Sequence, residues 1–411
     1  MKRLIAVMLA LALLLTACAQ GNADDLMQNV PAKAVDVLPD MDSGAAAAAA
    51  FGVRLFQASV EEGKNTLISP LSVLYALAMT ANGADGNTLA QMEQVLGMET
   101  EELNSFMRAY LDLLPESKVY KLCLANSIWF KDDPRFQVEQ SFLQTNADYY
   151  GADAYKAAFD EATRNDINNW VKEHTDGMIP EILDEIPEDA VMYLVNALAF
   201  DAEWQEIYEA HQVWEGEFCL EDGTPRTVDL MHSEENRYLE DELATGFIKY
   251  YKDKQYAFAA LLPNEGVTVQ EYVDSLTGEH LMKLLSNPEK VTVFATMPKF
   301  ETEYSVEMSE ALMEMGMTDA FDYRISDFSR LGTYDADGLN ICINRVLHKT
   351  FISVSEKGTR AGAATAVEMV AEGALLIEDY KTVTLDRPFV YMLIDCQTNL
   401  PFFIGTMMDV G

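Results

Sequence analysis

The chain has 411 residues, 49% of them hydrophobic and 23% charged, a globular composition with apolar material for a large core. Acidic residues number 67 against 29 basic ones, a formal net charge of -38 that repels phosphate backbones and anionic bilayers and argues against nucleic-acid binding. Five cysteines without close pairing argue against a disulfide scaffold and against a zinc cluster.

The first predicted element is an address. Lys2 and Arg3 precede a continuous apolar run from Leu4 to Leu15, too short to span a bilayer stably. The run closes with Leu15, Thr16, Ala17 and Cys18, which resembles a bacterial lipobox whose Cys is acylated; an ordinary signal peptide containing a Cys is the alternative. Residues 1–17 are therefore expected to be a signal peptide. Residues 18–42, polar and carrying Pro31 and Pro39, are expected to be a lipid-anchored flexible tether.

A helix is predicted from the run Ala45–Ala50 onward, with Asp42 or Ser43 as its cap. Pro70 opens a second, with Leu71, Leu74, Leu77 and Ala78 on one face. Residues 87–97 and 100–114 also read as helices, as does a segment placing Ile167, Trp170 and Val171 on one face. Strands are predicted at 122–130, 192–200 and 291–297. The last third is strand-rich, at 340–347, 351–356, 382–385, 389–395 and 401–407. Helices followed by strands, with no linker after residue 43 and no internal repeat, predict one α+β domain over 43–411.

Catalytic signatures are missing from the sequence. There is no nucleophile elbow, P-loop, CxxC or HExxH. His174, His211, His232, His280 and His348 are dispersed, and carboxylates are too abundant to be informative. Cys123, Cys342 and Cys396 lie in apolar strand-like contexts, with Cys219 near a turn, and read as inert thiols. No enzyme activity, metal or cofactor is expected.

One segment is unusual. Gly358 to Ala366 is built almost wholly of Gly, Ala and Thr, which bury little apolar surface. Yet it alternates. Thr359, Ala361, Ala363, Thr365, Val367 and Met369 would share one face of a strand; Arg360, Gly362, Ala364, Ala366, Glu368 and Val370 would share the other. It fits a plain flexible loop, or a loop that becomes a central strand in a second state. Small side chains would let it slide between strands without overpacking.

From about residue 45 to residue 409 the chain resembles the serpin family. The motifs run in order: NTLISPLS (Asn65–Ser72), GADGNTLAQMEQVLG (Gly83–Gly97), INNWVKEHTDGMIPEIL (Ile167–Leu183) and LVNALAFDAEW (Leu194–Trp204). MPKF (Met297–Phe300), LMEMGMTDAF (Leu312–Phe321), His348-Lys349 and DRPFVYMLIDCQTNLPFFIGT (Asp386–Thr406) follow. The resemblance implies three β-sheets, eight or nine helices and an exposed reactive loop, here about residues 356–380. It implies a serine protease inhibitor working as a suicide substrate: the protease cuts the loop, and the cleaved loop inserts into the central sheet before the acyl-enzyme is released. The partner is then the target protease, held covalently by a monomeric inhibitor.

Site residues follow from the same resemblance. Gly358 and Thr359 match the hinge, with Glu356 at its start. Ala361, Gly362, Ala363, Ala364 and Thr365 match the small-residue run of inhibitory members. Arg360 and Lys357 depart from the usual acidic residues. Ser69, Ser72, Asn196 and His348 match a hydrogen-bonded cluster where the sheet must open. Trp204, Lys299 and Glu356 match the top of the sheet, where a Lys299–Glu356 ion pair is expected. Counting from Gly358 places the reactive bond at Glu372–Gly373; a slip toward Met369, Val370, Ala371, Ala374, Leu375 or Leu376 would suit elastase-like or chymotrypsin-like enzymes. Residues 89–121 contain only Arg108, Lys118 and Lys121 as basic residues, so heparin gating is not expected. The expected place is the outer face of a bacterial membrane, attached only through Cys18, or otherwise secreted. The rival reading is a non-inhibitory relative serving as a binding or chaperone module.

Overall fold

A computed structural model describes residues 23–114, 119–187, 190–335, 338–359 and 379–411. Cys18 and the apolar run before it, Arg360 to Thr365, and the Glu372–Gly373 bond lie outside the described residues. Nine α-helices occur among the described residues: Met41–Ser59, Pro70–Ala81, Gly86–Leu96, Thr100–Leu113, Gln140–Tyr150, Glu161–His174, Val269–Ser275, Gly278–Ser286 and Ser309–Glu314. In Pro70–Ala81 the Ser69 hydroxyl accepts the Ser72 N–H, Pro70 fills the first turn, and every residue is buried. A helix apolar on all sides belongs in a core, and this one lies beneath the central sheet.

Three large sheets carry seven, six and four strands, with a two-stranded ribbon (Phe136–Val138 with Gly332–Tyr334) beside them. The central sheet runs Asp24–Asp25, Asp153–Ala157, Tyr120–Lys131, Met192–Glu203, Gly358–Thr359, Arg345–Ser355, Phe300–Glu307. Arg345–Ser355 alternates as its sequence requires, with Val346, His348, Thr350, Ile352 and Val354 turned inward. Met192–Phe200 is buried throughout because helix Glu161–His174 covers its outer face with Ile167, Trp170 and Val171. In the six-stranded sheet, Tyr256–Pro263, Phe389–Asp395 and Pro401–Met407 are wholly buried. The four-stranded sheet receives the chain again after the loop: Tyr380–Thr384 pairs parallel with Thr292–Pro298.

Several expectations are corrected. Asp40, not Asp42 or Ser43, caps the first helix by accepting the Ser43 N–H at 3.1 Å. The expected strands 340–347 and 351–356 are one strand, Arg345–Ser355. The segment before it is held out of the ladder by Asn344, whose Oδ1 accepts the N–H groups of Val191 and Met192. The expected tether is not free along its length. Asp24 and Asp25 pair with Lys156 and Tyr155, Leu26 N–H donates to Ala154 O at 2.9 Å, and Val30 is buried. Gln144 Nε2 then holds Pro31 O at 3.1 Å, and Lys33 N–H donates to Asp148 at 2.7 Å. Proline and polar composition hid this docking, which uses backbone groups that any sequence carries.

Cys342 is buried, Cys123 and Cys396 are half-buried, and Cys219 is exposed. Burial pushes the Cys396 thiol up to about 12 and raises that of Cys123, which suits unreactive thiols.

Candidate functional site: the hinge and the parted strands

Met192–Glu203 and Arg345–Ser355 run parallel and pair from Tyr193–Arg345 to Ala197–Lys349. Beyond that point they are no longer paired to each other. At the far end the two-residue strand Gly358–Thr359 sits between them. It pairs antiparallel with Ser355 and Val354 on one side and with Glu203 and Ala202 on the other. The structure thus places the start of the expected hinge inside the sheet.

The fit at this point is tight. Gly358 has φ +154°, and a Cβ there would lie 2.0 Å from Ala202 O, so a side chain would push the strands apart. Thr359 is buried, and its hydroxyl meets the Tyr251 hydroxyl. Tyr251 in turn stacks on Trp204, with ring centroids 4.5 Å apart and planes 9° from parallel. Trp204 holds the turn twice: its Nε1 donates to Ser355 O at 2.8 Å and its backbone N–H to Lys357 O at 2.9 Å. Tyr208 N–H donates to Glu356 O at 2.9 Å.

Lys299 bridges the rim, contacting Glu356 and lying 3.0 Å from Asp229. Partial burial is the largest single influence and works against the Glu356 charge, but the Lys299 hydrogen bond, a backbone hydrogen bond and the Lys299 charge together outweigh it and hold that carboxyl below its usual range. Such half-exposed pairs contribute ~0–1 kcal/mol. Lys299 therefore orients the turn more than it stabilises the fold.

The four cluster residues come together deep under the sheet. Ser69 N–H donates to His348 Nε2 at 2.9 Å. Ser72 Oγ donates to Asn196 Oδ1, and Asn196 Nδ2 contacts both Ser72 O and Asn126 Oδ1. His348 and Asn196 face each other across the two parallel strands. Because His348 Nε2 accepts, its proton sits on Nδ1, which is buried without a partner among the described residues. Burial pulls the His348 pKa down to about 3, so the ring is neutral.

Sequence reading missed Asn126, Asp229, Tyr208 and Tyr251. Their roles depend on distant pairings: Asn126 faces Asn196 in the ladder, and Tyr251 reaches Thr359 from 108 positions away. No local pattern carries such information.

The serpin (serine protease inhibitor) family profile matches residues 46–410. The crystal structure of the thermophilic serpin tengpin in its native state superposes with a TM-score of 0.90 at 47% identity, covering 94% of this chain and 100% of tengpin. Its latent-state structure, also 47% identical and covering 92% of this chain and 100% of that one, gives 0.80. The leukocyte elastase inhibitor of Bos taurus is 30% identical over 385 residues, 89% of this chain and 99% of that protein. A scaffold of three large sheets whose central strands part around the Gly358–Thr359 strand matches the serpin structures, and the chain belongs to the serpin family. Serpins are generally serine protease inhibitors, and thyroxine-binding globulin in complex with thyroxine shares the fold, with a TM-score of 0.77 at 23% identity over 89% of this chain and 99% of that one.

Proposed function

We propose that this serpin is an inhibitor of serine proteases that works by loop insertion. The observation that carries the reading is the seated pair Gly358–Thr359 between strands that have already parted. Extending that antiparallel register places Ala361 opposite Ile352, Ala363 opposite Thr350 and Thr365 opposite His348. On the other strand Thr365 meets Asn196. The positions that turn inward carry Ala, Ala and Thr, which fit without overpacking. Residues up to Ala363 enter where the two strands are already apart. Ala364 is the first to displace an existing strand pair, Ala197–Lys349. Thr365 then displaces Asn196–His348, so the cluster sits one pair beyond the point where parting begins.

In the proposed reaction the serine hydroxyl of the protease attacks the Glu372 carbonyl. The Glu372–Gly373 bond breaks, an ester forms to the protease, and the serine proton passes through the protease's histidine to the new Gly373 amine. Insertion then carries the acyl-enzyme away before water releases it. This chain supplies no catalytic residue. Its residues supply the bond, the hinge and the sheet. Acylation of Cys18 would hold it on the outer face of a membrane.

The test is a panel of serine proteases resolved on denaturing gels. A covalent band that resists denaturation supports the proposal. Cleavage of the loop by every protease with no such band favours a non-inhibitory binding module.

A further inference from the structure

Lys249 is a buried lysine, 2% exposed, on the strand Ala244–Tyr250 of the six-stranded sheet. Its ammonium lies 2.8 Å from Glu235, the last residue of Pro225–Glu235 in the four-stranded sheet. The same ammonium stands 4.4 Å from the Tyr208 ring centroid and 5.5 Å from that of Trp204. Glu235 also accepts the Ser233 hydroxyl at 2.7 Å. That hydroxyl has one proton, so in the 3.3 Å contact with Tyr208 the tyrosine is the donor. A directed chain therefore runs from Tyr208 through Ser233 to Glu235, which also accepts from Lys249.

Trp204 and Tyr208 are the two residues that hold Ser355, Glu356 and Lys357, three successive carbonyls of the hinge turn. We infer that the buried Lys249–Glu235 pair is the positioning device of loop insertion, fixing Trp204 and Tyr208 so that the turn presents Gly358–Thr359 in register. The inference rests on the inhibitory reading above. A buried ion pair is no better for stability than apolar residues of the same size, and its better-attested use is to specify one arrangement. Here that arrangement is a hairpin turn whose first two pairs act as the nucleus for zipping in the rest of the loop. Lys249 and Glu235 touch neither the loop nor the protease, so they act through the two aromatic residues.

The test is the double variant Lys249→Met with Glu235→Gln, which removes both charges while the Gln carbonyl still accepts the Ser233 hydroxyl. Chymotrypsin, pancreatic elastase and a glutamate-specific protease are the probes. The expected result is unchanged cleavage of the loop and an unchanged melting temperature of the cleaved form. The number of inhibitor molecules consumed per trapped protease rises at least about threefold, because slower insertion lets more acyl-enzyme hydrolyse. Lys249→Arg, which keeps the charge, restores the wild-type value. If that double variant does not fold, Lys249→Gln with Glu235→Gln, which removes both charges but keeps a hydrogen bond between the two side chains, shows the rise. If the probes cut but do not trap, the rate at which the nicked protein gains thermal stability is the readout, and the variant gains it more slowly. A variant equal to wild type in these readouts overturns the inference alone. A wild type that is cut yet neither traps nor gains stability overturns the inhibitory reading, and the inference falls with it.

Discussion

Thr359 and Tyr251 meet hydroxyl to hydroxyl inside the protein, 108 positions apart in the chain. The contact ties the first residues of the loop to the aromatic stack of Tyr251 on Trp204. Burial raises the Tyr251 pKa far above its ordinary value, so the phenol stays protonated and able to donate. The Gly358–Thr359 strand is therefore anchored by a polar contact that only a small hydroxylated residue at position 359 can make.

Replacing Thr359 tests that anchor. Thr359→Arg is expected to abolish covalent complex formation while leaving the loop cleavable, because an unpaired guanidinium would be forced into a site that is 1% exposed. Stoichiometric titration against a trapped protease measures it. Unchanged stoichiometry in the variant would mean that the hinge does not enter the sheet as argued.

Cutting the loop should stabilise the protein. Cleavage between Glu368 and Leu376 is expected to raise the melting temperature by more than about 10 °C, since a new central strand adds a full set of ladder hydrogen bonds and buries one face. Thermal unfolding before and after limited proteolysis measures the change. An equal or lower melting temperature after cutting would point to a non-inhibitory relative.

Specificity should follow one side chain. With Glu372 before the reactive bond, a glutamate-specific protease is expected to be trapped. Glu372→Arg should redirect inhibition to trypsin-like enzymes, whose pocket carboxylate repels Glu and pairs with Arg. Mass spectrometry of the released C-terminal fragment reads the bond directly. A fragment beginning at Ala371 or Leu376 instead of Gly373 would reassign the target to elastase-like or chymotrypsin-like enzymes.

His348 makes the fold sensitive to mild acid. The unfolded chain takes up this proton near pH 6.5, the folded chain only near 3. Stability is thus complete above pH 6.5 and falls as pH drops through that window, by about 1.4 kcal/mol per unit. His232, also depressed by burial, acts in the same direction. Urea unfolding at pH 7.0 and 5.5, above the range where carboxylates titrate, checks this. Equal midpoints would mean that His348 is already charged in the fold.

Much of the scaffold is legible from spacing. Pro70 after Ser69, the apolar face of the helix around Trp170 and the alternation of Val346 to Val354 each produce their elements locally. The serpin motifs supply the order in which those elements pack. Other parts are set by partners far along the chain. Arg345–Ser355 reads as two broken strands because Lys349 and Thr350 interrupt its apolar run. In the fold Lys349 reaches Glu303, and Thr350 bonds Leu67 O at 2.7 Å, so both are satisfied within one strand. No local pattern marks Lys249 as buried; only the meeting of two sheets encloses it beside Glu235.

The docked N-terminal segment changes the reach of the molecule. A free segment from Cys18 to residue 42 could extend about 80 Å at ~3.4 Å per residue. With Asp24 already paired to Lys156, the stretch left between Cys18 and the body spans at most about 20 Å. A lipid on Cys18 would then keep the body of this serpin within about 20 Å of the bilayer, so the proposed inhibition would be confined to proteases at that surface.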